Sequence, residues 1–388
     1  MPVPLLSKEK LGVVQPSLFT LSLANLARCL FFFDLSIFHS SMPLIVAEED
    51  ARPFGPLADT RATFELRFGA LCPLDRALQI TKDIALQCRP ELEAYLRAKT
   101  GLRVNEDVEG DLFPGLPAST PWDILAHSDS HIAGDFHDWQ KRHENHQEHA
   151  MMHGAHIVGD RRDVFIGLNA LVQPGCVLDV SNGPIILDER VEVKFSQIQG
   201  PVFVGAGCVI DGARVRPGTS LGPNCKVGGE ISASIFQSRV NKAHEGFVGH
   251  SWAGRWVNFG ALATTSNLKN TYGKIKFQLN SKETINTGAQ FLGSLIGDHT
   301  KIGIGQLLTT GANIGVGCNV FGGGVSPKYV PSFSWGGLDG WHEHRLEDAL
   351  KTVRATLGRR NARLRPESEA VLRALFDQTA SERAQFLG

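Results

Sequence analysis

Hydrophobic residues recur at every sixth position between Ile296 and Val320. The aliphatic positions are Ile296, Ile302, Leu308, Ile314 and Val320, and three of the five are followed by glycine. A period of six matches neither the 3.6 residues of a helical turn nor the alternation of a half-buried strand. It is the period of a hexapeptide repeat, in which each hexad forms one short face of a parallel β-helix and the aliphatic residue points inward. The stretch therefore predicts a β-helix.

Similar hexads begin near Asp163 and run, with interruptions, through FIGLNA, LVQPGC, FVGAGC, VIDGAR and LGPNCK. The span 264–292 lacks the period, and we interpret it as an excursion from the coil, a loop or short arm where binding groups could lie. PSFSWGG (331–337) forms a terminal cap. The spacing of Leu346, Leu350, Val353 and Leu357 then predicts a helical tail, which continues into a basic run that could meet ligand phosphates or form a solvated face.

The chain ahead of the repeat has a mixed pattern. A strand at Pro43–Ala47 and helical patterns around Pro73–Ile80 and Glu91–Ala98 predict a small α/β domain, and Thr120 before Pro121 predicts a capped helix. Eight of the fourteen histidines follow within 127–156. Imidazoles three or four residues apart on a helix can chelate a transition metal, but the Gln and Glu around them favour a solvated linker helix. We therefore predict no metal site.

Composition narrows the function classes. A net charge of -1 gives no general attraction to nucleic acid or to a membrane surface. The seven cysteines form no CxxC pair, which is typical of reduced core residues in a cytoplasmic protein. The apolar run Leu18–Phe38 is interrupted by Arg28 and Asp34, so it predicts neither a signal peptide nor a membrane span.

We predict a mainly β protein of five segments. They are an extension at 1–41 that is disordered or not native, a shortened α/β domain at 42–125, a His-rich helical linker at 126–160, the β-helix at 161–337 and the helical tail at 338–388.

The most specific motifs lie in the span 214–272. RVRPGTSLGPNCKVGGE, NKAHEGFVG and GRWVNFGALATTSNLKN resemble the acetyltransferase half of the bifunctional glucosamine-1-phosphate acetyltransferase and N-acetylglucosamine-1-phosphate uridyltransferase. TPWDI, GGEI, GDHTKIGI and PSFSWGG are similar to a variant bacterial and archaeal type of that family. The resemblance implies a left-handed β-helix, a homotrimer with sites between subunits, and acetyl-CoA as co-substrate. It also implies an amino-sugar phosphate or a nucleotide sugar as acceptor, within UDP-N-acetylglucosamine biosynthesis.

The resemblance also implies roles for individual residues. His244 stands where the family keeps its general base, and a neutral imidazole suits that task at physiological pH. Asn267 would orient the base. The expected substrate contacts are Arg216, Lys242, Asn258, Lys269 and Lys274, and the expected coenzyme contacts are Thr309, Thr310, Ala312 and Lys328.

The sequence departs from the family pattern at three places. Phe247 replaces a tyrosine, Ser232 stands where the family has a lysine, and the basic residue that meets the coenzyme pyrophosphate has no equivalent except Lys328. Because of these departures, the resemblance does not identify the acceptor sugar or the acyl donor.

The α/β domain offers a second activity. Arg61 and Arg67, in TRATFELRFG, resemble the substitute phosphate loop of the variant family, so sugar-1-phosphate nucleotidyltransferase activity with Mg²⁺ is possible. The domain has no GxGxR motif and is far shorter than a full sugar nucleotidyltransferase, which favours a degenerate domain. Two further hypotheses are a non-catalytic trimeric sugar-nucleotide-binding scaffold and a β-helix carbonic anhydrase with zinc on His244, His250 and His299.

Overall fold

A computed structural model describes residues 42–143, 152 and 154–388. From residue 42 onward these residues belong to one compact unit. The predictions for the extension at 1–41, and for most of the histidine tract, lie outside the described residues.

Residues 156–337 form a parallel β-helix with three faces. Each coil lays one short strand on each face, and the strand pairs with its counterparts in the coils before and after it. Ser294 pairs with Ala312, for example, eighteen residues or three hexads later. The predicted β-helix is confirmed.

The strands are distributed over the faces in chain order. The first face carries β7 (Leu171–Val172), β10 (Glu192–Lys194), the start of β13 (Val209–Val215) and of β15 (Lys226–Ser232), β17 (Asn241–Lys242), β20 (Asn258–Phe259), β25 (Lys301–Ile302), β28 (Asn319–Phe321) and β31 (Ser334–Gly337), with β32 (Gly340–Glu343) antiparallel at its end. The second face carries β5 (His156–Val158), β8 (Val177–Asp179), β11 (Gln197–Gln199), the ends of β13 and β15, β18 (Phe247–Gly249), β21 (Thr264–Thr265), β26 (Gln306–Leu308) and β29 (Gly324–Val325). The third face carries β6 (Val164–Ile166), β9 (Ile185–Leu187), β12 (Val202–Val204), β14 (Thr219–Leu221), β16 (Ile235–Ser238), β19 (Trp252–Arg255), β24 (Ser294–Ile296), β27 (Ala312–Ile314) and β30 (Tyr329–Val330).

The core fills the inside of the coil. All five aliphatic residues of the 296–320 repeat are buried in it, together with Cys176, Cys208 and Cys318. The hexad pattern therefore identified the inward positions correctly, because one residue of each hexad must fill the axis of the coil.

An α/β sheet packs beside the β-helix. Its four strands are parallel in the order β3-β2-β1-β4, with β1 at Leu44–Ala47, β2 at Ile84–Gln87, β3 at Arg103–Val104 and β4 at Asp111–Leu112. Its helices are α1 (Pro73–Ile80) and α2 (Glu93–Thr100), with 3-10 turns at Arg52–Leu57, Thr63–Glu65 and Pro90–Leu92. The predicted α/β fold of this segment is confirmed.

Two helices follow the sheet, α3 (Pro121–Ala126) and α4 (Ser128–Arg142). The Thr120 hydroxyl accepts a hydrogen bond from the Asp123 backbone amide, which is the predicted cap of α3. We expected α4 to be solvated, and this expectation is wrong for one side of the helix. Phe136 and Trp139 pack on outward residues of the third face, including Phe203, because those strands are apolar on both sides.

Charged side chains join the α/β segment to the third face, and we call this group the charged junction. It consists of Arg61, Glu65, Lys99, Arg255 and Asp298. Arg61 pairs with Asp298, and Glu65 pairs with Lys99 and, at 3.3 Å, with Arg255. Burial alone would raise the pKa of Asp298, but the guanidinium of Arg61 holds it below its usual value.

The excursion at 264–292 folds back onto the molecule. It contains an antiparallel hairpin, β22 (Lys276–Gln278) and β23 (Thr284–Asn286), whose Phe277 is fully buried and packs 5.6 Å from the ring of Trp122. Asn313 donates hydrogen bonds to the carbonyls of Gln278 and Leu279. Part of the expected arm therefore serves to hold the α/β segment on the β-helix.

Three helices form the predicted tail, α5 (Leu346–Gly358), α6 (Pro366–Gln378) and α7 (Ala380–Leu387). Leu350, Val353 and Leu357 of α5 pack on Val316 and Phe333, which confirms the helical spacing. Helix α6 contacts α2 of the α/β sheet, so the tail touches both parts of the molecule. Among the described residues, every helix is too short or too polar to span a lipid bilayer.

Candidate functional site

Aromatic, amide and imidazole side chains converge on the second face around Gly249, at the end of β18. A methyl group added to Gly249 would lie 2.3 Å from the Phe247 ring and 2.7 Å from Nδ2 of Asn267. Glycine is therefore the residue that lets an aromatic ring and an amide meet over this strand. We call the surface formed by Phe247, Gly249, His250, Asn267 and Phe291 the second-face site.

The centre of the second-face site is a hydrogen bond between Asn267 and His250. Nδ2 of Asn267 lies 2.9 Å from Nδ1 of His250. His250 occupies the corner between the second and third faces with a φ of 46°, and its backbone amide is tied to the Ser232 carbonyl of the coil below. Asn267 reaches the same corner because it begins the excursion one coil above. The corner therefore fixes both side chains.

This hydrogen bond sets the chemistry of His250. With the Asn267 amide donating, Nδ1 accepts and the proton of the neutral ring is on Nε2. Burial lowers the pKa of His250, so the ring is neutral near pH 7. Phe291 stacks on the imidazole with 5.0 Å between centroids, which keeps it in one plane. His250 thus presents an uncharged N–H donor.

His244 lies at a different corner, between the first and second faces. It is exposed, in the loop between β17 and β18. Asn267, which we expected to orient His244, contacts His250 instead. The sequence suggested His250 only as a zinc ligand, and its role beside Asn267 was missed because the two residues meet through the stacking of coils.

Lys242 requires a correction. We expected it to contact substrate, but its side chain is fully buried and its Nζ donates to the carbonyls of Gly228, at 3.2 Å, and His244. Burial lowers the pKa of Lys242 to about 8. The residue positions the His244 loop from inside the coil, and a buried ammonium group cannot reach a substrate there.

Arg216 lies at the edge of the second face, two coils below His250. Its guanidinium is 3.3 Å from Glu230 and 2.7 Å from the Gln199 side-chain oxygen. Arg216 and Ser232 thus follow the same edge as His250 in successive coils, since the amide of Arg216 bonds the Ile231 carbonyl. A phosphate at this edge would have to compete with Glu230 for the arginine.

The expected coenzyme residues lie mainly at the corner above His250. Thr309 and Thr310 follow β26, and the hydroxyl of Thr309 is buried without a hydrogen-bond partner among the described residues. The pKa of Lys328 is lowered, mainly by burial and secondly by the positive charge of Lys269. These two lysines therefore lie near each other. Nζ of Lys269 donates to the carbonyl of Lys274 at 2.5 Å.

Two expected contacts lie elsewhere. Ala312 is part of the β-helix core, so only its backbone could meet a coenzyme. Asn258 projects from the first face, where its Oδ1 accepts a hydrogen bond from Asn241 at 2.8 Å.

The residues considered for nucleotide and zinc binding are placed apart from the second-face site. The guanidinium of Arg61 is fully buried against Asp298, and Arg67 is buried and donates to the carbonyl of Ala70, so neither faces a nucleotide in this arrangement. His299 is half-buried at the corner between the third and first faces, away from the corner that holds His250. Within the described part of the chain, no three His, Cys, Asp or Glu side chains are grouped so that they could hold a metal ion.

Sequence comparison relates the chain to GlmU-type bifunctional proteins. It is 30% identical over 176 residues to the bifunctional protein GlmU of Prochlorococcus marinus, a match that covers 45% of this chain and 34% of the relative. It is 32% identical over 152 residues to a bifunctional sugar-1-phosphate nucleotidylyltransferase/acetyltransferase of Sulfurisphaera tokodaii, with 38% of each chain covered. The chain thus matches about a third of the length of these curated relatives. No family model matches it.

Among solved structures, the polySia-specific acetyltransferase NeuO covers 50% of this chain and 82% of its own, at 19% identity and a TM-score of 0.27. A UDP-N-acetylglucosamine acyltransferase from Campylobacter jejuni covers 57% and 94%, at 11% identity and a TM-score of 0.26. At these TM-scores the similarities carry no argument about function.

Proposed function

We propose that the protein is an acyltransferase that moves an acetyl group from acetyl-CoA to the amine of an amino-sugar phosphate or a nucleotide sugar. The sequence relation to GlmU-type proteins supports the reaction class. The observation that carries the proposal is the His250–Asn267 hydrogen bond beside Phe247, within the segment whose motifs resemble an acetyltransferase. We infer that this reaction serves sugar-nucleotide biosynthesis in the cytoplasm.

The proposed reaction divides the proton chemistry between two histidines. The amine nitrogen attacks the thioester carbonyl while His244 takes a proton from that nitrogen. The tetrahedral intermediate then collapses, the C–S bond breaks, and the coenzyme leaves as a thiolate that takes up the proton removed by His244. His250 remains neutral and donates its Nε2–H to the developing oxyanion or to an acceptor oxygen, since its Nδ1 is occupied by Asn267.

We further propose that the enzyme is a homotrimer. An apolar strip follows the corner between the first and second faces, where Ile304 is 75% exposed, Leu262 63% and Leu338 67%. Leu307 and Val325 continue it on the second face, where they pair in register. Exposed apolar surface of this continuity is typical of a protein interface. A second subunit there would border both His244 and the second-face site.

The test is release of free thiol from acetyl-CoA with a panel of amino-sugar phosphates and nucleotide sugars. Replacing His244 by Ala should lower the rate by roughly 10²–10⁴, the usual loss for a general base. Asn267→Ala should lower kcat and alter its pH dependence, because His250 would lose its fixed tautomer. His137→Ala, on an exposed residue of α4 outside the second-face site, is the control.

The proposal fails if no acceptor in the panel releases thiol. The assignment of His244 fails separately if His244→Ala reacts as fast as the wild type. In that case, loss of activity in His250→Ala would retain only the donor role of His250 and leave the base to another residue.

A further inference from the structure

A second concave surface lies at the corner between the third and first faces. It is a cleft of about 1010 Å³ between the first face and helix α5. We call it the basic cleft. Its floor is a row of outward-facing residues, one from each successive coil. Lys226 pairs with Asn241, Asn241 with Asn258, and Asn258 with Lys301.

The lining is strongly cationic. Seven lysine and arginine side chains face two carboxylates, Glu343 and Asp348. Glu343 is already bonded to Arg383, at 3.1 Å. The cations are Lys226, Arg239 and Lys301 of the β-helix, and Arg345, Lys351, Arg359 and Arg360 of the tail. Among the described residues, none of these seven forms an ion pair within 4.0 Å. The cleft thus lacks the counter-charge that so many cations normally attract.

Two of the cations converge on Trp256. Nζ of Lys301 donates to the Trp256 carbonyl at 2.8 Å, and the guanidinium of Arg239 lies 5.3 Å from the Trp256 ring. Both side chains are half-buried, and burial lowers the pKa of Lys301 to about 8. Burying an ammonium group without an anion is unfavourable, and a bound anion would remove that penalty.

The opposite wall supplies a second set of cations. Lys351 projects from α5, Arg359 follows the last residue of that helix, and Arg360 is held in place by the carbonyl of Asn224 at 3.2 Å. Planar guanidinium groups bind phosphate oxygens in pairs, while lysines act as point charges. Cations on both walls suit two linked phosphates better than one. The amides of Asn241 and Asn258 and the edge of Trp256 supply polar and aromatic contacts for an attached ring.

We propose that the basic cleft binds an organic diphosphate with a nucleoside attached. Free nucleoside diphosphates, nucleotide sugars and coenzyme A share this chemistry. The inference does not depend on acyl transfer, because the cleft and the second-face site lie at different corners of the β-helix. Asn258, which the family resemblance linked to the sugar, is here part of the floor of the cleft.

Titration calorimetry on the full chain tests the proposal with four probes, which are orthophosphate, pyrophosphate, UDP and coenzyme A. We expect saturable binding of pyrophosphate and tighter binding of UDP or coenzyme A, and the tighter of the two identifies the source of the diphosphate. Lys301→Met should weaken binding at least tenfold. The double variant Lys351→Gln/Arg359→Gln, at exposed positions on α5 and at its C-terminal cap, should do the same without a change in fold.

Arg354→Gln is the matched control, because Arg354 lies on α5 but pairs with Glu369 at 2.7 Å rather than lining the cleft. It should change affinity less than twofold. The proposal is overturned if no probe binds saturably at 1 mM, or if orthophosphate binds as tightly as pyrophosphate. It is also overturned if Arg354→Gln weakens binding as much as Lys301→Met. If a probe binds saturably but no acceptor releases thiol, the proposed diphosphate site is supported and the proposed acyltransferase activity is rejected.

Discussion

The charged junction and the basic cleft are both lined by charged side chains, but they balance those charges differently. In the junction each buried cation has an acid, as Arg61 has Asp298 and Arg255 has Glu65. In the cleft, the contacts of half-buried Lys301 and Arg239 within the described part of the chain are a carbonyl and an aromatic ring. Paired buried charges hold two parts of a fold in register, whereas unpaired cations in a cavity indicate a ligand that brings the missing charge.

The same difference separates two sets of arginines that the sequence offers for phosphate binding. Arg61 resembles a phosphate-loop arginine, yet its partner is within the protein. The basic run of the tail carries no motif, yet Arg359 and Arg360 face open space. The two sets of arginines therefore differ in whether a protein carboxylate already occupies the guanidinium, and the surrounding sequence motif does not reveal this.

The largest expected effect comes from breaking the junction. Asp298→Ala leaves the buried Arg61 guanidinium without its carboxylate and with only the Leu57 carbonyl as acceptor among the described residues. It also removes the acceptors of the Thr60 hydroxyl and the Arg255 amide. Removing one member of a buried ion pair costs about 3–5 kcal/mol. Urea denaturation of Asp298→Ala and of the exposed control Asp339→Ala measures the difference. A loss below about 1 kcal/mol would show that the junction does not hold the two parts together.

The second effect is the response of the junction to acid. Burial alone would raise the pKa of Glu65, but the charges of Lys99 and Arg255 bring it down to about 2. A depressed carboxylate pKa stabilises the fold above the unfolded-state value, near 4.5, and that stabilisation is lost as the pH falls toward 2. A shift of this size corresponds to about 3 kcal/mol.

Denaturation curves between pH 7 and pH 2 should therefore show a steeper loss for the wild type than for Glu65→Gln. The variant should be less stable than the wild type at pH 7, since it has lost both ion pairs. Parallel curves for the two proteins would mean that Glu65 titrates normally and that the junction is not tightly paired.

The smallest effect on stability is expected in the cleft. Lys301→Met removes a charge that burial already disfavours, so the ligand-free protein should keep its stability at pH 7 or gain up to about 1 kcal/mol. Because the folded-state pKa of Lys301 is lowered to about 8, the wild type should gain stability as the pH rises from 8 toward 10.5. The variant should gain less. A large loss of stability in Lys301→Met would instead make Lys301 a structural residue.

The sequence was most informative where one residue in six had to fill a coil. The inward positions from Ile296 to Val320, the cap at Thr120 and the apolar stripe of α5 follow from local periodicity or local hydrogen bonding, and the structure confirms them. The α/β character of the segment from Leu44 to Leu112 followed in the same way.

The contacts that define the sites were harder to predict because they cross between coils. His250 and Asn267 are seventeen residues apart and meet only because one coil stacks on the next. Arg61 and Asp298 are separated by 237 residues, and no local pattern relates them. Asn241 and Lys242 are neighbours in a short strand, so one of their side chains must point inward and the other outward. The sequence does not decide between them, and the structure places the lysine inside.

The contact between the tail and the α/β sheet has a consequence for how the chain is made. Arg365 donates to the carbonyl of Ala98 at 3.2 Å, and Gln378 lies 3.4 Å from Glu91, so residues 267 and 287 positions further along the chain complete the surface of the α/β segment. Contacts of such long sequence separation form slowly. During synthesis on the ribosome, the surface of α2 that packs on α6 therefore stays uncovered until the tail has emerged.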